Sequence, residues 1–197
     1  MAWRCCPAVF TRKLGILVMN RAKYWLAAAL ALSLSSLSAA QTFFGTTAGA
    51  PIWNRPTEGA PPISLSGVGT EVPYQATLVS VSANGSYTFN MNSTTGWDSY
   101  AFLYADPFNA ASPLANVLIG DDNNGSPSNE QFTINLTTGI QYVFVGTGYG
   151  NADFGAYRLD VTSQAGTATF APVPEPASMT ALAIGGLALL RRRRATK

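Results

Sequence analysis

Histidine is absent from all 197 residues, and cysteine occurs only twice, side by side at Cys5 and Cys6. Without an imidazole there can be no His-based catalytic triad, and a zinc site of the usual kind loses its commonest ligand. Both cysteines fall in the N-terminal stretch that export would remove, so the folded portion has neither a thiol nucleophile nor a disulfide framework. Lysine is missing between Gln41 and Val173. There nine acids (Glu58, Glu71, Asp98, Asp106, Asp121, Asp122, Glu130, Asp153 and Asp160) meet two arginines, Arg55 and Arg158, and two minus nine leaves a net of −7. The +2 of the whole chain therefore belongs to its ends. An acidic, lysine-free domain repels phosphate, which excludes nucleic acid as a partner and leaves cations, neutral polysaccharide and other proteins open.

The ends carry export chemistry. Trp25 to Leu37 is an apolar stretch preceded by Arg21 and Lys23 and followed by Ser38-Ala39-Ala40, small residues where a signal peptidase cuts, so Gln41 is the expected new N-terminus. Residues 1–40 thus read as a signal peptide region with a signal helix. Met19 opens a conventional basic leader, Met-Asn-Arg-Ala-Lys, and is the expected true start. At the other end, Pro174-Glu175-Pro176-Ala177 leads into an uncharged segment, 177–190, and then into Arg191, Arg192, Arg193 and Arg194 within a basic tail, 191–197. As a helix, 177–190 would be about 21 Å long, short against a hydrocarbon core of about 30 Å. Four adjacent cations enter neither a protein core nor lipid, and by the positive-inside bias they stay on the cytoplasmic side. Pro176 suits a first helical turn and forces Glu175 toward an extended conformation, the shape in which a protease cleft binds its substrate.

This tripartite tail, 174–197, resembles the PEP-CTERM signal of Gram-negative envelope proteins. The resemblance implies recognition of Pro174-Glu175-Pro176-Ala177 by an exosortase, an integral-membrane cysteine peptidase. That enzyme would remove the helix and Arg191 to Arg194, after a transient stay in the inner membrane, and send the cargo to the cell surface or extracellular matrix.

Between the ends, residues 41–173 are enough for one secreted domain with a real core. The segment lacks helical periodicity and shows strand alternation: Tyr87, Phe89 and Met91; Phe132, Ile134 and Leu136; Tyr157, Leu159 and Val161. Tyr100 to Tyr104 and Tyr142 to Val145 are apolar on both faces, as strands at the centre of a layered fold should be. Turn chemistry separates these runs, at Asn84-Gly85, Asn124-Gly125, Thr138-Gly139 and Gly148 to Gly155. The expectation is an all-β fold, a single antiparallel β-sandwich of seven or eight strands with jelly-roll character, led by an irregular arm from Thr47 to Gly69 and flanked in the precursor by the signal helix and the C-terminal membrane helix.

The run Trp97-Asp98-Ser99-Tyr100 to Tyr104, then Gly120-Asp121-Asp122-Asn123-Asn124-Gly125, Gly139 to Val145, and Asp153-Phe154-Gly155-Ala156-Tyr157 is similar to the bacterial pre-peptidase C-terminal domain. The resemblance covers most of Tyr74 to Thr162. It implies an accessory domain that binds or supports secretion without catalysis of its own.

Hard oxygen donors are the chemistry left to this segment. Asp121, Asp122 and Asn124 in a glycine-terminated loop, with Asp98 and Asp153 at strand edges, form a candidate calcium site; the competing reading of Asp-Asp-Asn-Asn-Gly is a solvated turn bonding its own backbone. It is not an EF-hand, since the fifth position from Asp121 is Gly125. Calcium is the one cofactor in view. Asp98 with Asp121 or Asp122 is also a carboxylate pair that in principle serves a glycosidase, the weakest reading. Trp53, Trp97, Tyr149 and Phe154 are candidate sugar platforms, against core burial for the same rings. The expected role is non-enzymatic: structural or adhesive in biofilm or exopolysaccharide, with a calcium- or carbohydrate-binding module as the alternative. Signal peptidase and exosortase are the expected processing partners.

Overall fold

A computed structural model of the chain describes residues 40–123 and 125–173. The signal helix, Met19, Asn124, the sorting residues Pro174 to Ala177, the membrane helix 177–190 and Arg191 to Arg194 lie outside the described residues.

The described residues form ten strands and no helix: β1 Gln41–Thr46, β2 Ile52–Trp53, β3 Val72–Val81, β4 Gly85–Ser93, β5 Ser99–Ala105, β6 Val117–Asp121, β7 Asn129–Leu136, β8 Tyr142–Gly148, β9 Ala156–Ser163 and β10 Ala168–Pro172. One sheet runs β1-β9-β4-β7. The other runs β10-β3-β8-β5-β6, with the two-residue β2 on β3, and every pairing is antiparallel. Helices are excluded by the same alternation that builds these sheets. In β4, Tyr87, Phe89 and Met91 are buried while the residues between them are only partly so, and β9 repeats the pattern with Tyr157, Leu159 and Val161.

Those inward faces meet Val79, Val81, Ala101, Leu103, Tyr142 and Phe144 of the other sheet in one shared core, with Phe89 stacked on Phe144 at 6.0 Å between centroids. β5 and β8, the strands apolar on both faces, lie adjacent inside the larger sheet. Their second faces need a second cover. Trp53 supplies it: packed against Phe102 at 5.6 Å and Phe108 at 5.5 Å, it anchors an outer core with Val72, Tyr100, Tyr104, Val117, Val143 and Val145. The arm from Thr47 to Gly69 is thus the lid of an outer core, fixed by the indole N–H donating to Thr147 Oγ1 at 3.1 Å.

The turns at one pole are tied together. Asn84 Oδ1 accepts from the Thr138 N–H at 2.7 Å and from its hydroxyl at 3.0 Å. Gly139 follows at φ 79°, a left-handed conformation that a side chain would oppose.

Candidate functional site

The opposite pole collects the acids. Ser99 pairs with Gly148, Ala101 with Asp121 and Asn92 with Asn129, so the end of β4, the start of β5, the end of β6, the start of β7 and the end of β8 share one end of the sheets. Asp98, Asp121, Asp122 and Asp153, four of the five residues proposed from sequence for calcium, are therefore brought to one pole; Asn124, the fifth, lies outside the described residues. They divide in what they do there. Asp153 Oδ2 accepts the Gly150 N–H at 2.9 Å and closes its own turn. Asp121 Oδ2 accepts the Gln131 N–H at 2.8 Å, tying β6 to β7 across the two sheets. Asp98 and Asp122 each keep a buried Oδ1 with no hydrogen-bond partner in the protein. Burial pushes the Asp122 carboxyl up to about 6; Arg55 pulls it down, while Asp98, Glu58 and Asp121 add to the rise. Asp98 is raised by burial and then by Asp153, against the pull of Arg55. Among the described residues no three acidic side chains stand close enough to hold an ion by themselves.

Arg55 is the counter-charge, and its role could not be anticipated from its place in the arm. Only 2 % exposed, its guanidinium lies 4.0 Å from the Tyr100 ring centre and 5.0 Å from that of Tyr149. Nε and Nη2 donate to the Tyr149 carbonyl at 3.0 and 2.8 Å, and Nη1 donates to the Pro56 carbonyl at 2.9 Å. Desolvation lowers its pKa, with Tyr100, Asp122 and Tyr149 acting the other way, yet guanidinium stays charged throughout the accessible pH range. Gly69 leaves the room: a Cβ there would stand 2.6 Å from Arg55 Nε.

Glu130 is the second residue that the sequence reading passed over. It is 1 % exposed, on the face of β7 that also carries Phe132 and Leu136. Its Oε2 accepts the Ser99 hydroxyl at 2.6 Å, and its Oε1 has no partner. The period-two pattern did hold the signal, because the inward alternation of Phe132 and Leu136 extends back to Glu130 and puts an acid where an apolar side chain belongs. Around it the turn 126–129 folds over: Ser93 N donates to the Ser128 carbonyl at 2.9 Å, Ser99 N to the Pro127 carbonyl at 2.8 Å, and Asn129 N to the Ser126 carbonyl at 3.1 Å. Ser93 Oγ, and Asn129 Oδ1 on the other face of β7, are buried without partners too. Each such oxygen costs about 1–3 kcal/mol if left unpaired.

Burial pushes the Glu130 carboxyl from its ordinary 4.5 to about 9, opposed by the Ser99 hydrogen bond and reinforced by Asp121 and Asp98. Between those values folding takes up a proton, so this group's contribution is fully present below about pH 4.5 and is lost progressively as the pH rises toward 9. A glutamine needs no proton. Glu130→Gln is expected to stabilise the protein at pH 7 by an amount on the order of 3 kcal/mol. Thermal melts at pH 5, 7 and 8.5 should show the gap widening with pH; a gap independent of pH would mean that the carboxyl does not titrate as a buried acid.

The aromatic candidates separate by burial. Trp53 is core, which removes it as a sugar platform. Trp97 donates its indole N–H to the Ala156 carbonyl at 3.1 Å and packs on the first core. Tyr149 and Phe154, 37 % and 48 % exposed, remain open to solvent at the acidic pole.

Comparison with known proteins places two likenesses beside this geometry. The PEP-CTERM protein-sorting motif matches residues 172–194. No curated protein matches the sequence. Among solved structures, the pre-peptidase C-terminal domain of a Bacillus anthracis collagenase is similar at 16 % identity and a TM-score of 0.36, covering 61 % of this chain and 87 % of that one. The Yersinia pseudotuberculosis-derived mitogen is similar at 13 % identity and a TM-score of 0.36, covering 70 % of this chain and 100 % of its own. The K3 cleaved adhesin domain of Porphyromonas gingivalis Lys-gingipain is similar at 18 % identity and a TM-score of 0.29, over 62 % and 91 %.

Proposed function

We propose that this chain is exosortase cargo: an exported protein held briefly in the inner membrane by its C-terminal segment, then freed to the cell surface or extracellular matrix, where it serves a structural or adhesive role in biofilm or exopolysaccharide. The observation that carries the reading is the sorting motif over residues 172–194, a signal whose presence implies exosortase processing and export. The last strand, β10, ends at Pro172, where that motif begins, so a cut beyond it spares the sheets.

Several features support a non-catalytic role for the folded portion. It contains neither histidine nor cysteine, and its one buried cation is spent on backbone carbonyls and aromatic faces. Jelly-roll character belongs to the same proposal, because consecutive strands are neighbours only at β2–β3 and β5–β6 and all other connections change sheet. A rigid double-layered scaffold with a charged pole suits a matrix component.

Intact-mass measurement of the protein recovered from the cell surface or medium tests the processing. The expected product begins at Gln41 and lacks Arg191 to Lys197. Surface material that still carries the basic tail would refute exosortase cleavage.

A further inference from the structure

A groove of about 1250 Å³ opens where β1, the arm, β3 and the end of β10 come together. That exceeds the roughly 300–1,000 Å³ of a small-molecule site and has room for a short peptide. Two aromatic pairs line it, Phe43 with Phe170 and Tyr74 with Phe108, each at 5.5 Å between centroids. Phe44, 71 % exposed, adds another apolar ring. No charged side chain lines the groove among the described residues, although the domain around it is strongly acidic. Two of its polar side chains are amides whose oxygens are already engaged. Gln75 Oε1 accepts the Thr46 N–H at 2.8 Å and the Tyr157 hydroxyl at 3.0 Å, and Asn109 Oδ1 accepts the Ala111 N–H at 2.9 Å. Each amide keeps an NH2 group with no hydrogen bond to the described residues. Aromatic faces with uncharged donors suit an extended segment that offers carbonyl acceptors and few N–H groups, which is the chemistry of a proline-rich peptide.

The chain brings such a segment to the groove itself. β10 ends at Pro172, opposite Thr77, and Val173 packs against the outer core beside the groove that both residues line. The residues that follow are Pro174-Glu175-Pro176-Ala177. We propose that the groove binds Pro174-Glu175-Pro176-Ala177 of the same chain, docking the sorting motif against the folded domain, so that an exosortase has to draw the motif out before cutting it. The inference rests on the exosortase reading above and adds a regulator to it. Proline rings would lie on the aromatic faces, and the carbonyls and the Glu175 carboxylate would take the Gln75 and Asn109 donors. Prolines are fixed near φ −65° beforehand, so little freedom is lost on docking. Pro174 follows Val173 directly, which puts the motif at an effective concentration on the order of millimolar or above. Weak contacts therefore suffice in cis.

Cysteine is absent after Cys6, so a single introduced thiol reports on the groove. Ala48→Cys, on the exposed arm that lines it, would be placed in the full-length precursor, in membranes of cells that lack an exosortase. Its thiol should react with a maleimide about tenfold more slowly than in the same precursor carrying Pro174→Ala and Pro176→Ala, as for a motif docked about nine-tenths of the time. Thr133→Cys, on β7, should react at one rate in both. Asn109→Asp keeps the acceptor for the Ala111 N–H and loses the NH2 donor. It should remove most of the protection and, where exosortase is present, quicken release of the cut protein several-fold. Equal labelling of Ala48→Cys with and without the two prolines would overturn the docking. So would protection that survives in the proline variant and disappears when bound glycan is washed away, which would make the occupant a neutral polysaccharide. An Asn109→Asp precursor cut no faster than its parent would overturn the competition. Labelling needs no exosortase, so failure of the docking and failure of the processing are read separately.

Discussion

Replacing Arg55 by methionine is expected to destabilise the folded domain by about 3–5 kcal/mol, the usual cost of removing one partner from a buried charge set. The side chain is buried to 2 % exposure, so every interaction it makes is one that water does not replace. Three of its donors satisfy the carbonyls of Tyr149 and Pro56. Its face covers Tyr100 at 4.0 Å, within the outer core. Its charge also restrains the carboxyl groups of Asp122 and Asp98. Methionine would fill much of the volume but leave the two carbonyls unpaired and those acids uncompensated. For a domain of about 130 residues the melting temperature should fall on the order of 10 °C or more. Arg55→Lys should recover only part of the loss, because an ammonium keeps the charge without the planar fork that reaches Tyr149 through two nitrogens. A methionine variant melting within about 2 °C of its parent would show the guanidinium to be a surface ornament.

Most of the sheet framework was legible in the sequence because it rests on a local rule. Alternation at Tyr87, Phe89 and Met91, and at Tyr157, Leu159 and Val161, puts three side chains on one face whatever surrounds them, and all six are buried. The two-sided apolar runs of β5 and β8 announced central strands, and they pair with each other. What escaped notice depends on partners far along the chain. β1 and β10 are short edge strands, largely exposed, and neither Phe43-Phe44 nor the lone Phe170 makes an apolar alternation, so nothing local distinguishes them from loop. β3 begins with Val72-Pro73 and packs on both sides of its sheet, which blurs the period. The arm's purpose was hidden because Trp53 meets Phe102 and Phe108 across about 50 residues.

The site divided along the same line. A cluster of Asp residues in a glycine-ended loop is conspicuous in any sequence, and the fold does bring Asp98, Asp121, Asp122 and Asp153 to one pole. Yet two of those four are occupied with backbone N–H groups. The residues that set the chemistry of the pole, Arg55 and Glu130, are single charges embedded in apolar or turn-rich stretches. Such a charge reads as solvent-facing until the strand register is counted. Counting from Leu136 back through Phe132 would have turned Glu130 inward, and an inward acid is either paired, protonated or bound to a cation.

Pro174→Ala combined with Pro176→Ala is expected to abolish release of the protein almost completely while leaving the folded domain intact. Both positions follow β10, which ends at Pro172, and both belong to the sorting motif. The residue before a proline is biased away from the helical region, so on the proposed reading Pro-Glu-Pro would be offered to a peptidase cleft as an extended strand. Alanine reverses that preference: it is about 3 kcal/mol better than proline inside a helix, so a helix of the kind expected for the apolar run would be free to continue backward through residue 175. A helical segment cannot lie along a strand-binding cleft. The full-length precursor should therefore collect in the membrane fraction, with intact mass showing Arg191 to Lys197 attached and little product at the surface. Replacing Arg191 to Arg194 by serine should fail differently. Burying one arginine at a membrane centre costs roughly 2.5–3.5 kcal/mol, so removing four takes away the brake that stops translocation, and uncleaved chains should appear outside the membrane. The double proline variant maturing at the parent's rate would mean that the tripartite tail is an anchor which no transpeptidase reads.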